Sequence, residues 1–257
     1  MKFNETENPE LTTNPFDDQH KRQLDIHPAL PNPPFSLMLV GPAGSGKSNL
    51  ILRLLYGNKC KKNDKNKYGK FYRHFFDKVY IFSPSWKLDP KMNRCHIPEE
   101  QIFENPNLYH EIIEQLLGIQ SDSIEEDGKS ETPHILMVFS DLAGQKGVFS
   151  HGKGIMNKLA FNRRHFKVSI ILDTQSIRQI NPAFRSNLSG LILFSGITNR
   201  LELQKISDEY LGEFSSDEQQ ELIDYSFKEA YDFLYINFAK KGAAKFHHNF
   251  NPMNIEK

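Results

Sequence analysis

Five short apolar runs recur along the chain: Phe35 to Val40, Val79 to Phe82, Ile135 to Phe139, Val168 to Leu172 and Leu191 to Phe194. Each is too brief for a buried helix and lacks the polar alternation of a strand with one wet face. Each therefore reads as a strand covered on both sides. The segments between them can hold helices, the first from Lys47 to Tyr56, and this alternation predicts an α/β fold with a mostly parallel central sheet flanked by helices. Beyond Phe194, helices are expected over Asn199 to Leu211 and Ser216 to Glu229, the second with Glu218 and Glu221 near the positive end of its dipole. A strand over Asp232 to Phe238 and a hairpin arm over Gly242 to Phe250 close the pattern. Ser121 to Pro133 is acidic and short of large apolar groups, and is expected to be a loop. Residues 1–34 carry Pro9, Pro15, Pro28, Pro31, Pro33 and Pro34, a density that opposes helix and ladder alike, so they read as an extended arm before a single domain over 35–257.

Composition adjusts this picture at two points. The 257 residues hold 32 Lys plus Arg against 32 Asp plus Glu, with 38% apolar residues and a mean hydropathy of −0.56. That suits one full core, and no run approaches the roughly 18–20 apolar residues of a membrane helix. The polar start, MKFNETENPE, has no apolar signal core, so neither a secreted nor a membrane-spanning protein is expected. Cys60 and Cys95 stand without metal-ligand or paired spacing, which fits a reducing compartment. Zero net charge argues against a dedicated nucleic-acid binder, yet it conceals segregation. Asn58 to Lys78 holds eight Lys or Arg against two Asp, interleaved with Tyr68, Phe71, Tyr72, Phe75 and Phe76, whereas the Asp208 to Asp224 region is acidic.

The chemistry begins with Gly41, Pro42, Ala43, Gly44, Ser45, Gly46, Lys47 and Ser48, a complete G-x-x-x-x-G-K-[ST] phosphate loop between a buried strand and a helix, followed by Asn49. Gly44 and Gly46 let backbone N–H groups turn inward around phosphate oxygens, and the helix N-terminus adds partial positive charge. Lys47 is suited to the β and γ phosphates and the Ser48 hydroxyl to Mg2+, so the loop predicts binding of a nucleoside triphosphate such as ATP with Mg2+.

Ser140 and Asp141 end the Ile135 to Phe139 strand, where ligands of open α/β sheets bind. Asp141 is the leading candidate acid for metal or water, with Asp173, at the end of the next strand, a weaker competitor. Gln175 follows that strand and can orient water or sense the γ phosphate without adding charge. Asn162, Arg163, Arg164 and His165 precede it; an arginine here either solvates a helix end or reaches a neighbour's γ phosphate. Arg185 poses the same choice.

Together these segments resemble the FtsK/HerA superfamily of ring-forming DNA-pumping ATPases, and most of all the genome-packaging ATPases of poxviruses, giant viruses, virophages and Polinton-type elements. The resemblance spans roughly Phe35 to Phe250. It rests on the phosphate loop, the Val79 to Phe82 strand with Ser83 and Ser85 behind it, the Ser140-Asp141 strand end, and the segment from Arg164-His165 through an apolar strand to Gln175. It implies a P-loop ATPase that pumps double-stranded DNA into a preformed capsid as a homo-oligomeric ring, with a capsid or portal-vertex partner. It also implies residence in the host cytoplasm or a viral factory, or association with the virion. By position, Lys47 and Ser48 hold phosphate and metal, Gln175 is the sensor, and Arg163 or Arg164 is a finger acting across the subunit interface. The sequence departs from the family where two adjacent acids are usual, since Ser140 takes the first place. Neighbouring strand residues point opposite ways, so either Asp141 is the catalytic base and Ser140 touches a magnesium-bound water, or the local backbone shifts and Asp141 serves the metal with Ser48; the base is the favoured reading.

Two other classes fit the loop: a nucleoside or nucleotide kinase, and an ATP-binding scaffold with little turnover. Lys59 to Lys78, including Lys61, Lys62 and Lys65, is the most basic stretch and a candidate DNA contact, although its aromatics can equally pack on the core. His247 and His248 show no metal-ligand pattern.

Overall fold

The computed structural model describes residues 26–57, 71–90, 97–142, 154–239 and 244–255. The strands are β1 (Ser36–Val40), β2 (Lys78–Phe82), β3 (Ile102–Phe103), β4 (Ile135–Phe139), β5 (Val168–Thr174), β6 (Gly190–Phe194), β7 (Phe233–Asn237), β8 (Phe246–His248) and β9 (Asn251–Pro252). Among the described residues they form one sheet in the order β3-β2-β4-β5-β1-β6-β7-β8-β9. Every pairing from β3 to β6 is parallel, and β7, β8 and β9 add antiparallel. All five expected apolar runs are strands, and β1, β4, β5 and β6 are buried along their whole length.

Among the described residues six helices cover the two faces: α1 (Lys47–Tyr56), α2 (Tyr109–Asp127), α3 (Ile155–Asn162), α4 (Pro182–Arg185), α5 (Arg200–Tyr210) and α6 (Ser216–Ser226). Alternate residues of β1 divide the core, Leu37 and Leu39 meeting Leu50, Ile51 and Leu54 of α1, while Met38 and Val40 meet the face of α2 and α3. Asn199 caps α5 by accepting from Leu201 N and Glu202 N, and Ser215, rather than Ser216, caps α6 in a capping box with Glu218. No described helix is long and apolar enough to cross a membrane.

Two expectations change. Residues 121–127 are not a loop but the last turns of α2. Ile113 and Leu117 set a helical stripe whose next core position is Gln120, and this polar residue hides the period. Gln120 is buried because its amide donates to Pro133 O at 3.0 Å and Phe166 O at 2.8 Å. The end of the expected arm also belongs to the core: Leu30 is fully buried, Tyr72 Oη donates to Pro31 O at 2.7 Å, and Tyr235 Oη donates to Ala29 O at 2.9 Å. Prolines here prevent regular structure without preventing burial, and one side chain such as Leu30 contributes about 1.5–3 kcal/mol. The first 25 residues lie outside the described part, as do Cys60, Cys95 and the lysines at 59–70. From the same basic stretch, Tyr72 and Phe75 are buried among the core aromatics, which is the packing alternative.

Candidate nucleotide-binding site

A parallel sheet aligns its strand ends, and here the carboxyl ends of β1, β4 and β5 converge on one cavity of about 230 Å³. The phosphate loop forms one wall. Gly41 N donates to Thr174 O at 3.2 Å, which ties the loop to the end of β5. Gly44 and Gly46 take φ of 77° and 104°, the left-handed region where a β-carbon is costly. A β-carbon at Gly41 would sit 2.6 Å from Ser45 Oγ, so the loop closes only around glycine there.

Lys47 is buried, and its ammonium donates to Gly41 O at 2.7 Å and Pro42 O at 2.9 Å. Burial lowers its pKa, while Asp173 and Asp141 pull it back up. No side chain caps α1, so its first-turn N–H groups are available to an anion. Ser45 Oγ is buried without a hydrogen-bond partner, a further polar atom inside the loop. Of the expected loop residues, Ala43, Gly44, Lys47 and Ser48 line the cavity; Asn49 is exposed and does not.

The opposite wall holds the acids, and here the sequence reading needs correction. Asp173, ranked below Asp141, is the buried centre of the site: Ser140 Oγ donates to it at 2.6 Å and Asp141 N at 3.2 Å. Its carboxyl pKa is raised, chiefly by burial, against the lowering effect of these two bonds and of Lys47. Nor do Ser140 and Asp141 diverge as strand neighbours do. Asp141 lies past the last residue of β4 with φ of 55°, and this left-handed turn brings both side chains to the same cavity. Ser85 Oγ donates to Asp141 Oδ2 at 2.7 Å. Asp173 thus brings a carboxylate to Ser140 from the neighbouring strand, at a position that a two-adjacent-acids pattern along the chain does not reveal. Gln175 is exposed at the end of β5 and lines the same cavity.

The donor set fits a nucleotide and Mg2+. Among the described residues no group of three His, Cys, Asp or Glu forms a metal site by itself. Mg2+ keeps several waters and is held by one or two carboxylates together with substrate phosphates. Ser48 of the loop and Asp141 across from it face the same space.

The arginines lie elsewhere. Arg163 is buried at the end of α3, donating to Ala160 O at 2.6 Å and Ser189 Oγ at 3.3 Å, with its pKa lowered to about 10 by burial and by Arg164. It is neither a solvated helix end nor presented to a neighbour, so the expectation of Arg163 as a finger gives way to a structural tie between α3 and the start of β6. Arg164 is exposed. Arg185 is buried, pairing with Glu209 at 3.0 Å and donating to Ile177 O at 3.1 Å.

Strand order and glycine loop together define a P-loop nucleotide-binding α/β fold, with the acid cluster facing the loop. Solved structures share the fold: the DNA-packaging ATPase B204 of Sulfolobus Turreted Icosahedral Virus matches with a TM-score of 0.55 at 14% identity, over 87% of this chain and 100% of that one. The genome packaging NTPase B204 of Sulfolobus turreted icosahedral virus 2, in complex with ATP-gammaS, matches with a TM-score of 0.51 at 14% identity, over 86% and 98%. In sequence, the uncharacterized protein 088R of Invertebrate iridescent virus 3 is 23% identical over 232 residues, 84% of this chain and 77% of its own length. The family model described as Poxvirus A32 protein matches residues 26–212, and the chain belongs to that family. Membership places it among the viral genome-packaging ATPases.

Proposed function

We propose that the chain is the motor subunit of a ring that hydrolyses ATP with Mg2+ and couples this to driving double-stranded DNA into a capsid. The observation that carries the reading is the single cavity joining the Lys47–Ser48 loop to Ser140, Asp141, Asp173 and Gln175. In it, the loop N–H groups and Lys47 hold the β and γ phosphates, Lys47 exchanging its loop carbonyls for phosphate oxygens. Ser48, together with the phosphates, would hold Mg2+, which would neutralise phosphate charge. Asp141, oriented by Ser85, accepts the proton of the attacking water, and Gln175 orients that water against the γ phosphate. Asp173 accepts the hydrogen bond of the Ser140 hydroxyl and so fixes its direction, leaving the oxygen lone pairs of Ser140 free to accept from a group bound in the cavity.

Arg164, exposed on the segment before β5, is the finger acting on a neighbouring subunit. Such a finger is worth about 10³–10⁵ in turnover, so assembly controls activity. DNA is gripped without regard to sequence, and a capsid or portal protein is the docking partner. The test is phosphate release with and without double-stranded DNA, alongside sizing of the complex. Turnover per subunit that rises on assembly and with DNA supports the motor. Equal turnover in dilute monomer and in the assembled form, or transfer of phosphate to an acceptor other than water, overturns it.

A further inference from the structure

The cavity accounts for the phosphates but not for the nucleoside. Its roughly 230 Å³ falls below the roughly 300–1,000 Å³ of pockets that enclose a drug-sized ligand. Its acids stand on β4 and β5, on one flank of β1. With the γ end at those acids and the chain of phosphates drawn along the loop, the base must leave on the other flank, toward β6 and β7. Antiparallel pairing sets Phe194 opposite Phe233, so the turn entering β7 comes up beside the phosphate loop.

Tyr231 stands on that turn. It is 65% exposed, one of the most exposed large side chains described, and its backbone is left-handed with φ of 72°, rare for an aromatic residue. A β-carbon at Gly46 would meet Tyr231 Cδ1 at 3.4 Å, so the ring lies alongside the N-cap of α1. The strained turn is held from several sides. Asp232 O accepts from Ser195 N at 2.9 Å, and Asp232 Oδ2 accepts from Glu229 N at 3.0 Å. Asp232 also takes Asn249 Nδ2 at 3.0 Å and faces His248 Nε2 at 3.2 Å. Left-handed backbone of this kind costs about 1–3 kcal/mol and persists only where the surroundings fix it. The arrangement accepts backbone strain and leaves a largely exposed aromatic ring next to the phosphate loop.

We propose that Tyr231 is the platform on which the purine of the bound nucleoside triphosphate stacks. This rests on the nucleotide-binding reading of the loop. Base–aromatic stacking is worth about 1–3 kcal/mol and tolerates any base, so ATP and GTP are held with similar affinity by this contact.

Binding of ATP, GTP and inorganic tripolyphosphate is measured by calorimetry on the full chain and on Tyr231→Gly and Tyr231→Phe. Glycine is at ease at positive φ, so the first variant folds. The expected result is a rise of about 10- to 100-fold in the Kd for ATP and GTP in Tyr231→Gly, an unchanged Kd for tripolyphosphate, and recovery in Tyr231→Phe. Equal affinity of parent and Tyr231→Gly for ATP overturns the platform while leaving the phosphate site intact. Equal weakening for ATP and tripolyphosphate also overturns it, since the turn then acts only through the loop. If the parent binds neither ATP nor tripolyphosphate, the nucleotide-binding reading itself falls, and the platform with it.

Discussion

Replacing Asp173 by asparagine separates the two properties that a functional buried acid combines. Asparagine keeps the shape and one acceptor oxygen, so either the Ser140 hydroxyl or the Asp141 N–H loses its carboxylate partner. A hydrogen bond to a charged group is worth about 1.5–3 kcal/mol. If that interaction orients the reacting groups only as hydrolysis proceeds, its loss appears in turnover as a fall of about 10- to 150-fold. Stability moves the other way with pH. Burial raises the folded-state pKa above the 3.8 of the free carboxyl, so the unfolded chain gives up this proton first. The parent therefore loses stability as pH rises from 3.8 through the folded value, and asparagine, having no proton to release, escapes that loss. Melting of parent and Asp173→Asn across pH 4 to 8 should show the difference shifting in favour of the variant, while single-turnover phosphate release falls. Ser140→Ala should lower turnover in the same range, and the double variant should be no worse than either single one, because the two groups act through one hydrogen bond. Unchanged turnover in Asp173→Asn, or full additivity with Ser140→Ala, would refute the split-acid reasoning.

Three further outcomes follow from the geometry. Arg163→Ala leaves Ala160 O without the guanidinium, at about 1–2 kcal/mol, and should lower Tm by roughly 2–8 °C with turnover per folded subunit retained; a selective loss of turnover would restore a catalytic role. Asp232, although burial raises its pKa, is held low on balance by Asn249, His248 and the Glu229 N–H. Its stabilisation of the Tyr231 turn is complete above pH 3.8 and fades as pH falls below it, which hydrogen exchange of Glu229 N–H at pH 3 and pH 6 would read. Gly46→Ala places a β-carbon at φ of 104° and 3.4 Å from Tyr231, so tripolyphosphate binding should weaken at least tenfold; retained affinity would count against the loop as the phosphate cradle.

The sheet and the phosphate loop were legible because each rests on a local signal. Doubly buried strands write themselves as apolar runs, and the loop glycines are demanded by left-handed backbone within eight residues. What stayed hidden was non-local. Asp173 is 33 positions from Ser140 along the chain, and only the parallel pairing of β4 and β5 makes it the partner. Gln120 broke a helical stripe because its partners, Pro133 and Phe166, are carbonyls on other segments. Tyr231 carries no motif, and its signal is a backbone conformation that sequence does not print. Arg163 and Arg164, adjacent and chemically alike, separate only when one is seen buried and the other exposed.

That separation constrains how subunits meet. Arg164 precedes the amino end of β5, whereas Asp173, Thr174 and Gln175 stand at its carboxyl end. Seven residues at about 3.3 Å each put roughly 20 Å of strand between them. Arg164 therefore does not serve the cavity of its own subunit. To meet a γ phosphate it must come from a neighbour, with the face at the amino ends of one sheet set against the cavity face of the next. Such a contact joins two different surfaces, so it repeats head to tail, as a ring where the rotation closes and as an open filament where it does not, and never as a two-fold dimer. In a two-fold dimer built on the amino-end faces, both Arg164 side chains would lie away from both cavities. The finger and the head-to-tail contact thus stand or fall together: mixing Arg164→Ala subunits with subunits lacking the Lys47 ammonium should restore hydrolysis only at junctions where an intact Arg164 meets an intact Lys47.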